Sequence, residues 1–398
     1  MAISPGIISI SQIAADLGLS SNTSLRSLSS AAGLSTPDKF SDFFTYSTLS
    51  LISAGFQHSL GLKSTGVAFG WGYNLNGRIG DNTTTARSTP VQVCGGLTWT
   101  TISAGDTFSL GITSAGVAYA WGANTYGQLG NNTTNTQRTP VQVCGGLTWT
   151  TISAGRDHSL GITSAGVAYA WGYNPNGQLG DNTITSRRTP VQVCGGLTWT
   201  AISCGRLGVH SLGITSAGVA YAWGNNNNVQ LGDRTTTSRR TPVQVCGGLT
   251  WTAISAGNSH SLGITSAGVA YAWGSNTSGR LGDNTTTARN TPVQVCGGLT
   301  WTTISAGGDH SLGITSAGVA YAWGNNTYGQ LGNNTTTSRN TPVQVCGGLT
   351  WTVVSAGRDH SIGITSTSVA YGWGYNEYSK IGDNNSNTSH LTPVRIWI

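Results

Sequence analysis

Two phrases decide the fold: Gly95-Gly-Leu-Thr-Trp-Thr-Thr-Ile-Ser-Ala-Gly105 and Ser109-Leu-Gly-Ile-Thr-Ser-Ala-Gly-Val-Ala-Tyr-Ala-Trp-Gly122. They are followed by Gln128-Leu-Gly130 and Thr139-Pro-Val-Gln-Val143, and the whole unit then begins again. The pair Trp-Gly recurs at Trp71, Trp121, Trp171, Trp223, Trp273, Trp323 and Trp373, spaced by 50 residues except for one interval of 52. A two-residue insertion near Leu207–Val209 accounts for the longer interval. Self-similarity at such a period marks a repeat architecture.

Each unit contains four short β-prone runs, in one copy Thr98–Ser103, Ser109–Thr113, Val117–Trp121 and Pro140–Val143, separated by Gly, Asn and Ser turn residues. A four-stranded unit of this size cannot bury its own two faces, and packing against neighbours solves that problem. Closing seven such units into a ring leaves no end exposed. The expected fold is therefore all-β, a seven-bladed β-propeller over residues 45–398 with a small, partly helical segment at 1–44. The Trp and Tyr of Tyr-Ala-Trp-Gly are expected to fill the space between blades. Phe44 and Trp397 share the phase of Cys94, so the chain stops where it began in the repeat. That predicts ring closure at these two residues, with an N-terminal strand completing the last blade.

Composition agrees. The chain has 58 Gly and 14 Trp in 398 residues, one Met, one Glu (Glu377) and only 8% charged residues, which argues against long helices. A formal charge of +6, from 19 cations (three of them Lys) against 13 acids, is too dilute for a nucleic-acid-binding stripe. No stretch approaches 18 apolar residues, so no membrane insertion is expected. Met1–Ile10 lacks the basic start of a secretory signal, which makes folding in a cytoplasm the default. Six of the seven cysteines occupy one phase of the repeat (Cys94, Cys144, Cys194, Cys246, Cys296, Cys346). A whole blade separates neighbours, too far for a disulfide. They read as small buried residues of a reduced protein, and Cys204 likewise.

The phrases Gly-x-x-His-Ser-Leu, Gly-x-x-Tyr-Ala-Trp-Gly-x-Asn and Gly-Gln-Leu-Gly, with a later Thr-Pro, resemble the regulator-of-chromosome-condensation repeat over about 90% of the chain. The resemblance implies a seven-bladed propeller and supplies no function, since one fold hosts many. The family's namesake exchanges nucleotide on a small GTPase through loops and an inserted β-wedge. No insertion longer than three residues is present here, so that activity does not carry over.

Residues 1–44 fall outside the repeat. Short helices are expected over about Ser11–Leu17, capped by Gly18, over Ser24–Ala32, and from Ser35-Thr-Pro-Asp38 onward. Ala14-Asp-Leu-Gly18-Leu-Ser is similar to the centre of a helix-turn-helix motif. However, Ser24 stands where that motif needs an apolar residue, and only Arg26 could contact phosphate. The pattern Ile8–Ile13, Leu17-Gly18, Ser24–Leu28 and Ser41–Tyr46 resembles a short N-terminal module of tailed-phage virion proteins. It implies docking of the propeller on other virion proteins, in many copies.

His58, His158, His210, His260, His310 and His360 recur at one phase, with Phe108 in the seventh copy. Blade-equivalent imidazoles circle an axis instead of converging on one metal, so a structural hydrogen bond is the expected role. Asp81, Asp181, Asp233, Asp283 and Asp383, replaced by Asn131 and Asn333, read as turn residues. No asymmetric catalytic cluster is visible, and neither enzyme nor cofactor is expected. Arg87, Arg138, Arg187, Arg239, Arg289 and Arg339 put a cation on one loop of six blades. That ring either attracts an anionic surface polysaccharide or pairs with the nearby Asp.

Variation among units gathers after Ser-Ala-Gly and after Trp-Gly. The ligand-facing candidates there are Tyr73, Tyr126, Arg156, Tyr173, Arg206, Tyr328, Arg358, Tyr375 and Tyr378. Two readings follow. One is a non-enzymatic phage virion component (tail, fibre or capsid surface), assembled in the host cytoplasm, that recognises a host-surface polysaccharide or protein receptor or reinforces the particle. The alternative is a cellular propeller scaffold binding a protein partner through one face. An exchange factor or carbohydrate-active enzyme is a third, minor reading.

Overall fold

A computed structural model describes residues 49–205, 209–386 and 388–396. The N-terminal helices, the docking module, Phe44, Trp397 and Arg206 lie outside the described residues. Seven four-stranded antiparallel sheets are present, each made of four consecutive strands. Blade 1 comprises Leu49–Ala54, His58–Lys63, Ala68–Gly72 and Arg87–Gln92, and blade 7 comprises Trp351–Ala356, His360–Thr365, Ala370–Gly374 and His390–Arg395. Every strand starts and ends within a few residues of its expected position. The register is copied from blade to blade, down to the same bulge between third and fourth strands.

The first strands of adjacent blades touch one another, which puts them innermost around the axis and the fourth strands at the rim. Seven apolar clusters fill the seven gaps, each built from two blades. Between blades 1 and 2, Leu60, Leu62, Ala68 and Val93 meet Trp99, Ile102, Ala104 and Trp121. Trp121 is fully buried there, and Trp99 sits 5.6 Å from it and edge-on to Tyr119. The Trp of Tyr-Ala-Trp-Gly thus fills the gap, while its Tyr flanks it half-buried.

Polar stitches repeat in the same gaps. The indole Nε1 of Trp121 and the hydroxyl of Ser109 both donate to the Arg78 carbonyl of the preceding blade, at 2.9 and 2.8 Å. The backbone N–H of Ala104 donates to Ser53 Oγ at 2.9 Å, and the same bond recurs in all seven gaps. The ring closes by these means too. Ser59 Oγ and Trp71 Nε1 donate to the Lys380 carbonyl, and Ile362, Ile364 and Ile396 of blade 7 pack on Leu49, Ile52 and Trp71 of blade 1.

The expected N-terminal strand in the last blade is therefore corrected among the described residues. His390–Arg395 pairs with Ala370–Gly374, so that edge is already taken by the C-terminal strand. Packing between blades, not a shared sheet, joins the described ends. The six phase-matched cysteines are a second correction. They are half-exposed, and only Cys204 is buried. They lie in the Cys-Gly-Gly turn leaving each fourth strand, where Gly95 and Gly96 hold φ of +105° and +61° in the open. Among the described residues no helix is long and apolar enough to cross a membrane.

Candidate functional site

Antiparallel order places the turn between first and second strands and the loop between third and fourth strands at the same end of each blade. Tyr73 N–H donating to the Gln57 carbonyl at 2.8 Å joins the two directly. At the other end Trp99 N–H donates to the Gly66 carbonyl, joining the remaining two turns. Within blades 2–6 the first face carries every loop that varies. On the second face, the Thr-Ser-Ala-Gly and Cys-Gly-Gly-Leu-Thr turns are identical through blades 2–6. One face of the ring is individual and the other is a near-perfect repeat.

At the channel mouth of the varied face, backbone bonds run from blade to blade. Phe56 N–H reaches the Gly105 carbonyl, Asp106 N–H that of Gly155, and Asn258 N–H that of Gly307. This belt positions Asp106, Arg156, Asp157, Asp309, Arg358 and Asp359 around the mouth. Arg156 and Arg358 pair with their neighbours Asp157 and Asp359 at 3.4 and 3.1 Å. Burial, reinforced by Asp157, pushes the Asp106 carboxyl up to about 6. Beneath the rim, Arg78, Arg280 and Lys380 replace the Gln of other blades. Arg280 is paired with Asp309 at 2.7 Å, whereas Lys380 lies over the Tyr375 ring, and burial lowers it to about 8.

The tyrosines singled out from sequence come together in pairs across the gaps. Tyr126 meets Tyr173 (4.4 Å), Tyr328 meets Tyr375 (4.3 Å) and Tyr378 meets Tyr73 (4.4 Å). In each pair, the fifth residue after one blade's Trp meets the second residue after the next blade's Trp. Two consecutive pairs make blades 6, 7 and 1 an aromatic sector. Arg78 stacks on Tyr73, Arg358 stacks on Phe56, and the sole Glu, Glu377, lies beside Tyr375 and Tyr378. Tyr328, Tyr378 and Tyr126 remain 37–40% exposed, so each pair is a rigid ring surface open to solvent.

The arginine ring divides. Arg87, Arg187, Arg239 and Arg289 bind Asp81, Asp181, Asp233 and Asp283 at 2.6–2.9 Å. Burial alone would raise these carboxyls. Hydrogen bonds from Thr and Arg outweigh burial and hold them low, and an Asn side chain donates to each of the four as well. Blade 7 makes the same pair with His390 and Asp383. Where Asn333 replaces Asp, Arg339 is exposed, and where Asn131 does, Gln137 replaces Arg. Arg138 packs its stem beside Gly77 of the preceding blade. Most of the ring is thus neutralised at its own blade.

The histidines are structural. His158 Nε2 contacts Ser211 Oγ of the next blade at 3.0 Å, and five further His–Ser pairs repeat it. Ser211 donates to the Gln178 carbonyl, so its oxygen accepts from Nε2–H and the imidazole is neutral. Among the described residues no group of three metal-ligating side chains exists.

A family model of the regulator of chromosome condensation (RCC1) repeat matches residues 65–112, 115–162, 165–209, 217–264, 267–314 and 317–364, and a second model of the same repeat matches six segments between 50 and 379. Among solved structures, human WBSCR16 is 21% identical over 79% of this chain and 86% of that one, with a TM-score of 0.72. Prp20p from Saccharomyces cerevisiae, solved together with its binding properties to Gsp1p and histones, is 20% identical over 89% of this chain and 88% of that one, at 0.74. Yeast RCC1 (Prp20) bound to Kap60 is 20% identical over 89% and 86%, at 0.73. At such identities the likeness concerns the fold. No curated protein matches the chain by sequence.

Proposed function

We propose that this chain, which belongs to the regulator of chromosome condensation (RCC1) repeat family, is a non-catalytic scaffold that binds a protein partner on its varied face. One observation carries the reading. Within blades 2–6 the loops of one face differ in Tyr, Asn, Arg and Asp content, while the turns of the other face are letter-for-letter copies. Stacked tyrosines suit such a surface, because they present large contact area and lose little side-chain freedom on binding. The sector formed by Tyr328, Tyr375, Tyr378 and Tyr73, flanked by the Arg358–Asp359 pair, is where the partner docks. Protein binding by structurally similar Prp20p supports the class of partner, not its identity.

The test compares two variants of the full chain. Tyr73→Ala, Tyr328→Ala and Tyr378→Ala together remove the aromatic sector. Gly146→Asn with Gly248→Asn places side chains into open space on the opposite face, at φ values Asn tolerates. The copurifying partner is lost from the first variant by at least about tenfold, about 1.4 kcal/mol, and kept by the second. Retention by the tyrosine variant, or loss from the glycine variant, refutes the reading.

A second reading uses the same face on a tailed-phage particle, with residues 1–44 as the docking domain and 45–398 as the displayed one. Its support is the Ile8–Tyr46 pattern, which lies outside the described residues. Cosedimentation with intact particles, abolished by deleting residues 1–44, supports it; a soluble complex that survives the deletion sinks it.

A further inference from the structure

Within blades 2–6, blade 4 departs from the repeat in four places. Cys204 replaces Ala, the two-residue insertion falls in its first turn, Arg234 takes a left-handed Asn position (φ 65°), and Val229 stands where five blades have Gly. Val229 has φ 56°, a conformation that β-branched residues rarely adopt. The phase matters because of what faces it. A Cβ built on Gly177 would lie 2.6 Å from Arg240 Cα of the next blade, and one on Gly279 2.5 Å from Asn340 Cα. In blade 5 that facing position is Asn290, whose carbonyl accepts from Arg234 N–H. Val229 therefore sets a side chain against the blade-5 loop at the rim, while the inner bonds of the same gap keep their lengths: Ser261 Oγ donates to the Gln230 carbonyl at 2.9 Å and Ala256 N–H to Ser203 Oγ at 3.0 Å.

Two bonds differ at this loop. Gly232 N–H to the Val229 carbonyl is 3.3 Å, against 2.9–3.0 Å at the six equivalent turns. Six of the seven interblade tryptophans donate to the preceding blade at 2.8–3.0 Å. The seventh, Trp273 in blade 5, has its buried Nε1 without a partner. Small side chains do the rest. The places filled elsewhere by a tyrosine pair hold Asn228 and Ser275 here. The result is a cleft of about 250 Å³ lined by Asn227, Asn228, Val229, Ser275, Thr277 and Thr286 among others, none charged.

We propose that this cleft binds one neutral sugar ring. Its volume falls just below the about 300–1,000 Å³ of drug-sized pockets, which suits a single small ring. Uncharged amides and hydroxyls beside an apolar Val229 match a ligand that offers hydroxyls and C–H faces and no net charge. The loop is preorganised: Gln230 Oε1 accepts from Asn228 N–H at 2.9 Å and its Nε2 donates to Asn225 Oδ1 at 2.9 Å. Arg280 Nη2 donates to Thr277 Oγ1 at 2.7 Å, which leaves that hydroxyl's hydrogen for the ligand. The site is independent of the protein partner proposed above, and its test does not use the tyrosine sector.

Saturation-transfer NMR on the full chain with glucose, galactose and N-acetylglucosamine tests it. Val229→Gly removes the apolar wall of the cleft, and Ser275→Tyr fills the cleft with a residue that blades 1, 3 and 7 already carry at this position. At least one of the sugars binds the native chain, and its signal falls at least about tenfold in both variants. Val229→Gly also melts above the native chain, because the strain and the Trp273 vacancy are removed together. Methyl glycosides separate the sources: binding retained points to a glycan end, binding lost to a free sugar. Absence of signal from all three sugars, undiminished signal in either variant, or a lower melting temperature for Val229→Gly overturns the proposal.

Discussion

Lowering the pH from about 7.5 to about 5 should unfold this propeller through its buried histidines. His158, His210 and His310 are held at about 3 by burial, and His260 well below its usual value for the same reason. The proton has nowhere to go. Nε2 already donates to a serine, and Nδ1 of these four is buried without a partner. A depressed histidine pKa means that the unfolded chain takes up protons first as the pH falls. Stability present above about pH 6.5 is then lost progressively toward about pH 3. At about pH 5 His158, His210 and His310 each contribute a loss of about 2 kcal/mol, from 1.36 kcal/mol per unit, about 6 kcal/mol together, and His260 acts in the same direction. Asp106, raised to about 6, opposes this by about 1 kcal/mol over the same range. Asp157 and Asp359, also raised by burial, act in the same sense as Asp106. A net loss of about 5 kcal/mol from the three histidines and Asp106 is comparable with the whole stability of many domains.

Phe108, which takes the histidine place in blade 2, shows the site accepts an apolar ring. His158→Phe should cost about 1 kcal/mol at about pH 7.5, from the lost bond to Ser211. It should also remove about 2 kcal/mol of the acid-induced loss. Urea unfolding followed by tryptophan fluorescence at about pH 7.5, 6.5, 5.5 and 5 measures both. If the variant and the native chain lose stability in parallel over that range, the neutral buried imidazole is not the acid-sensitive element.

Two further outcomes follow from the repeat geometry. Asp181→Asn, copying Asn131 and Asn333, frees Arg187 and costs about 1–2 kcal/mol by urea unfolding, because one ion pair is lost while the turn bonds to Thr183 remain. The difference should shrink as the pH falls below the ordinary aspartate range, because burial of Asp181 is outweighed by its bonds from Thr183 and Arg187 and its stabilisation is lost only as the lowered carboxyl is protonated. Gly177→Ala puts a Cβ 2.6 Å from Arg240 Cα at φ +78° and should lower stability by more than about 2 kcal/mol, whereas Gly146→Ala on the open face costs about 1 kcal/mol.

Much of this was legible from the letters. The repeat phase located all twenty-eight described strands, because turn residues and β-branched runs act locally and recur seven times. The histidines were legible as structural residues, since Phe108 cannot carry a metal. The cysteines were misjudged: their small size suggested burial, but the Gly-Gly turn beside them lifts the chain off the core. The strand expected to complete the last blade from the N-terminal side was misjudged as well. The phase of the last strand says which strand it is, and not whether a further strand is needed beside it.

Periodicity is a one-dimensional signal, and it determined the blade count, the strand order and the composition of each gap. What the letters could not reveal is which residues of adjacent blades meet across a gap. Tyr328 on Tyr375, Tyr378 on Tyr73, and Val229 against the blade that holds Asn290 depend on packing two blades face to face. The individual face is legible only there, because a blade's differences acquire meaning from the neighbour they touch.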